Sequence, residues 1–212
     1  MLFAILPIIR VDNKMTRNVE LPPGWKLPEE IVRRLGSSSG RQRVISENDN
    51  ILIVLHKPPL KHESHRESVF LWRNEKGIWD VSERGGGLNS LDDFLENYVR
   101  IEEALGDGYE KAANASDFFE LLEKIAPVQR AVKNMSETLQ EARQVVGEEL
   151  VDHRNKAEEL HRNIELLYID CKNGLDYAIA KKTEEQSEMQ RQALAAGHRL
   201  KSSWLYFYLL QQ

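Results

Sequence analysis

From Glu148 to Gln212 the chain contains no proline and only two glycines, Gly174 and Gly197. Nothing in that stretch breaks a helix. The pattern predicts one helix of about 60 residues, on the order of 90 Å long at 1.5 Å per residue. Within it Ala157, Leu160, Ile164, Leu167, Cys171, Gly174 and Ala178 recur at alternating intervals of three and four. This is coiled-coil spacing over about three heptads, and it marks these seven residues as the helix-packing face. A helix this long cannot bury such a stripe against a small sheet alone. It needs other helices, from the same chain or from a second copy.

The residues before it read as an α+β domain. Pro28 stands where a helix can begin, Glu29 and Glu30 suit a first turn, and Gly36 ends it. Arg43 to Ser46 and Ile51 to His56 flank the polar turn Glu47 to Asn50, a hairpin signature. Ser68 to Arg73 and Gly77 to Val81 flank a second turn at Asn74 to Lys76, which completes a small antiparallel sheet within about 41–84. Helices follow over about 90–147. Ser90 is expected to cap the first and Gly106 to stop it, Ser116 to cap a second, and Pro127 to restart a third. The chain thus divides into an off-pattern N-terminal segment (1–20), an α+β domain (21–147) and a stalk-like helix with a short aromatic tail (148–212). The fold class is α+β, a small antiparallel sheet followed by a helical bundle with one very long C-terminal helix.

Charge excludes some functions. With 29 Lys and Arg against 34 Asp and Glu, the formal net charge is -5. A dedicated nucleic-acid binder would show a basic face, so no nucleic acid is expected. The apolar start, Met1 to Ile9, lacks the basic flank and small-residue cleavage site of a signal peptide. Neither it nor the aromatic run Trp204 to Leu210 approaches the roughly 20 residues of a spanning helix. The chain is therefore expected to be soluble. One cysteine, Cys171, allows no internal disulfide.

Candidate chemistry is sparse. His56, His62 and His65 lie near Glu63 and Glu67, but a zinc site needs about four convergent ligands on a rigid frame, so a solvated loop is expected. His153 and His161 stand two turns apart and cannot share a metal directly. Cys171 occupies a heptad core position, which suits a small buried hydrophobe. Gly85, Gly86 and Gly87 lack the spacing and the Lys-Ser/Thr of a phosphate loop. Arg33, Arg34, Arg41 and Arg43 flank a Ser/Gly loop and offer a weak anion-binding signal. Acidic residues line the long helix (Glu148, Glu149, Asp152, Glu158, Glu159, Glu165, Asp170, Asp176, Glu184, Glu185 and Glu188), interleaved with basic ones as on a salt-bridged face. Their functional reading is convergence on Mg²⁺ between subunits, since that ion prefers oxygen ligands. Which of them would bind is not legible.

Several segments together resemble the cytoplasmic part of CorA-type divalent-cation transporters. They are Leu27 to Gly36, Gly40 to Arg43, Ile51 to Pro59, Phe70 to Arg73, Leu139 to Arg143 and Ala195 to Leu200. The resemblance covers approximately Leu21 to Leu200, and none of these motifs is catalytic. It implies a homopentamer whose long helices line an ion path, placed in the cytoplasm at the inner face of the membrane. In that family the helix continues into a membrane span ending at a Gly-Met-Asn signature. Here the chain reads Lys201 to Gln212 and stops, without the signature or a second span. A frame change near Leu200 and a true start at Met15 are two expectations about the ends.

The first functional reading is a non-enzymatic CorA-like module, truncated before the pore. It is expected to form homo-oligomers, to bind Mg²⁺ weakly between subunits, and to touch the membrane surface peripherally through Trp204 to Leu210. The alternative is a coiled-coil scaffold that binds another protein along Ala157 to Ala178. An enzyme reading on His56, His62 and His65 lacks a nucleophile, base and orienting group together.

Overall fold

A computed structural model describes residues 19, 21–59, 67–83 and 86–209, with side chains as far as Arg199. The sequence expectations for 1–18, for His62, Glu63 and His65, for Gly85, and for the side chains of the aromatic tail lie outside the described residues. The element order is α1 (Glu29–Leu35), β1 (Arg43–Glu47), β2 (Asn50–His56), β3 (Ser68–Arg73), β4 (Trp79–Val81), α2 (Asn89–Lys111), α3 (Ala115–Val146), a 3₁₀ turn (Gly147–Leu150) and α4 (Val151–Leu209). By compactness the chain forms two units. One holds Met1–Lys57, Ser64–Phe94 and Asn134–Arg154, and the other holds Pro58–Glu63, Leu95–Lys133 and Asn155–Gln212.

In the first unit the four strands pair antiparallel in chain order. The first hairpin is tighter than its polar stretch suggests. Glu47 pairs with Asn50, and only Asn48 and Asp49 form the loop, both at positive φ (46° and 61°). This is the backbone of a two-residue type I′ turn, whose twist matches the flanking strands and which Asn and Asp tolerate. Asn50 Nδ2 donates to Asn48 O, and Trp72 Nε1 donates to Asn50 Oδ1 at 3.1 Å. The apolar run of β2 is buried along its whole length. Leu52 and Val54 share one face with Ile45 and Phe70, and that face packs with Val19, Ile31 and Leu35. Trp25 lies against Trp72 there, ring centroids 5.6 Å apart. Ile51, Ile53, Leu55, Val69 and Leu71 on the opposite face are also buried.

The helices correct four expectations. Gly106 does not stop α2, which continues to Lys111. The second glycine in that helix, Gly108, marks a close approach: a Cβ there would meet Leu121 Cδ2 at 2.8 Å. Ser90 lies inside the first turn of α2, after Asn89, and is not its cap. Asn114, not Ser116, caps α3. Its Oδ1 accepts from Ser116 N at 2.9 Å and from Asp117 N at 3.3 Å, while Asp117 Oδ2 accepts from Ala113 N and Asn114 N. This is a capping box with Asn and Asp in the two roles. Pro127 neither ends nor restarts a helix; it sits inside the 32-residue α3. An interior proline costs about 3 kcal/mol. Ile125, Val128, Ala131, Val132, Met135, Leu139 and Ala142 are all buried along the same helix. At about 1.5–3 kcal/mol per large aliphatic side chain, that burial outweighs the break.

The long helix is present as expected, with α4 spanning 59 residues. No described helix is long and apolar enough to cross a membrane.

Candidate functional site

The packing stripe of α4 belongs to the second unit. Ala157, Leu160, Ile164 and Cys171 are buried, and Leu167, Gly174 and Ala178 are half-buried. The α3 side chain Phe118 explains the glycine in this stripe. Its ring occupies the space a Gly174 side chain would need, and it leans on Tyr109 with ring centroids 6.1 Å apart. Beyond Ala178 every described side chain of α4 is exposed. Leu166, Ile169 and Tyr177 lie outside the stripe at 54%, 45% and 71% exposure, with Met189 and Leu194 exposed further along. Exposed apolar residues on one long helix are an interaction signal that a search for a single heptad seam does not isolate.

Of the candidate metal and catalytic groups, the described members are His56, Glu67, His153, His161, Cys171 and the α4 carboxylates. Among the described residues no group of three or more His, Cys, Asp or Glu side chains could hold a metal ion. The described residues of one chain therefore supply no Mg²⁺ cage by themselves. His56 is buried on β2, with its backbone N–H donating to Gln42 Oε1, and Glu67 pairs with Lys57. His153 is buried with Nε2 3.3 Å from Asp92 Oδ1. His161 lies two turns further along α4 and shares no site with it. Burial, then the Asp170 charge, pushes the Cys171 thiol pKa up, which disfavours a reactive thiolate. Burial, then Glu103 and Glu159, likewise raises the Glu102 carboxyl.

Two of the four arginines near the Ser/Gly loop hold backbone carbonyls, and a third is paired within α1. Arg43 donates to the carbonyls of Leu35, Ser39 and Arg41. Arg34 donates to Ser46 O, and Arg33 pairs with Glu30. Arg34 and Arg43 thus tie α1 and the loop to β1, which leaves little for an anion.

One concavity went unread in the sequence. A groove of about 580 Å³ opens between the α2–α3 connection and α4, floored by Phe118 and Tyr177 and rimmed by Asn114, Lys181, Lys182 and Glu185. Its only local signal was the Lys181-Lys182 pair.

No family model matches the chain, and no curated protein matches it by sequence. Solved structures do. The cytoplasmic domain of ZntB from Vibrio parahaemolyticus superposes with a TM-score of 0.59 at 11% identity, over 74% of this chain and 80% of that one. The complete CorA magnesium transporter of Methanocaldococcus jannaschii gives 0.39 at 15% identity, over 72% of this chain and 62% of that one. Its soluble domain gives 0.35 at 15% identity, over 72% and 81%. The small antiparallel sheet, the following helices and the long terminal helix thus share the fold of the ZntB cytoplasmic domain.

Proposed function

We propose that this chain is a non-enzymatic, self-associating module of the CorA-like type, assembled through α4, with Mg²⁺ held weakly between copies. The observation that carries this reading is the likeness to the ZntB cytoplasmic domain. The exposed apolar residues of α4 supply a surface for it. Because Ala157, Leu160, Ile164 and Cys171 are buried within one chain, a second copy would meet α4 on other residues. The same burial weakens the scaffold alternative, which relied on that stripe. A metal between copies would draw its oxygen ligands from the exposed carboxylates of α4, with waters completing the shell. A pentamer is the assembly that a CorA-type arrangement implies, at the cytoplasmic side of a membrane.

Sedimentation of the pure chain in Mg²⁺ and in chelator, with limited proteolysis in parallel, tests this. The expected result is a higher-order oligomer whose protease resistance depends on Mg²⁺. A strict monomer that is indifferent to Mg²⁺ refutes it.

A further inference from the structure

Two long helices, α3 and α4, are joined by the four-residue turn Gly147–Leu150. Gly147 takes φ +83°, a conformation that suits glycine, and so ends α3. Glu148 is exposed and Leu150 is buried. Glu149 reaches across to the β3–β4 hairpin. Its carboxylate accepts from Arg73 Nη2 at 2.8 Å, Arg73 Nε at 3.2 Å and Trp79 Nε1 at 2.8 Å. The bidentate arginine fork is among the stronger hydrogen-bonding geometries. Gly77 leaves room for it, since a Cβ there would lie 3.1 Å from Arg73 Nη2.

We propose that Glu149 is a release pin. It holds the α3–α4 joint to the hairpin, and without it the joint and the first turn of α4 open as a local unit while the sheet stays closed. Three features support a local event. Within the turn Leu150 is buried and Glu149 makes the side-chain hydrogen bonds to the hairpin. Its backbone is a single 3₁₀ turn, a short element with poorer hydrogen-bond geometry than an α-helix. Arg73 also sits on β3, whose ladder to β2 runs through six residue pairs from Ile51–Arg73 to His56–Ser68. Loss of Glu149 leaves those ladders in place, and the hairpin has no reason to open with the joint.

Hydrogen exchange of the full chain, read by mass spectrometry, tests the pin. In E149Q the amides of residues 147–154 exchange about tenfold faster, the scale of one partly exposed charged hydrogen-bond set. Those of β2 and β3 do not change. R73Q gives the same local effect, E149Q/R73Q gives no more than either alone, and D49N leaves the joint protected. An unchanged joint in E149Q overturns the proposal. So does faster exchange spread evenly through β2 and β3, which would make Glu149 an ordinary stabilising contact.

Discussion

Gly174 and Phe118 fit together only because one has no side chain: a Cβ on Gly174 would lie 2.6 Å from Phe118 Cε1 and 2.7 Å from Cζ. Helix propensity alone favours Gly174→Ala by about 1 kcal/mol. Displacing a ring that leans on Tyr109 costs about 1–3 kcal/mol, so the clash prevails. G174A should lower the thermal midpoint, and G174A/F118L should recover part of the loss. At Gly106 a Cβ meets nothing within 4 Å. G106A should therefore raise the midpoint by the propensity gain. Calorimetry of both variants reads the opposite signs, and a stabilised G174A would contradict the packing.

Glu149 gives stability an acid-side dependence. The Arg73 hydrogen bonds, helped by Trp79, hold its pKa below the usual 4.5. A depressed carboxylate contributes stability above its unfolded pKa and loses it as pH falls through the folded value. Denaturant titrations from pH 7 down to pH 3 should show wild type losing more stability below about pH 4.5 than E149Q does. Parallel curves for the two proteins would remove Glu149 from the acid response.

Glu102 works in the opposite sense. Burial raises its folded pKa above 4.5, with Glu103 and Glu159 adding to it. At neutral pH the charged form is favoured in the unfolded chain, so the group destabilises the fold. E102Q should be more stable than wild type at pH 7, and the advantage should vanish as pH falls below about 4.5. Equal stability at pH 7 would show that solvent reaches the carboxylate.

Cys171 is fully buried and its thiol is disfavoured as thiolate. A thiol reagent such as Ellman's should react with the native chain only as fast as the helical unit opens. In denaturant it should react at the rate of a free cysteine. Rapid native labelling would place Cys171 on an open surface.

How much was legible follows the range of the interactions involved. The hairpin at Asn48 and Asp49, the apolar β2 strand, the short α1 and the length of α4 all rest on local chemistry. Turn residues, strand-length apolar runs and the absence of helix breakers announce them along the chain. The breaks assigned to Gly106 and Pro127 did not occur, because long-range burial overruled a local penalty. The candidate sites were least legible. His56 has its backbone N–H engaged with Gln42, and Arg34 and Arg43 donate to carbonyls that spacing along the chain does not reveal.

By itself the sequence determined the α+β class, the antiparallel meander and the single long helix, since each follows from residue type and period within a short window. Tertiary structure decided which glycine is an approach and which is open, and that α3 runs through its proline. It also decided that the heptad face of α4 is used inside the chain, leaving Leu166, Ile169 and Tyr177 outward. The pairing of Glu149 with Arg73 belongs to the same class, because it joins residues 76 positions apart and only the folded backbone brings them within reach.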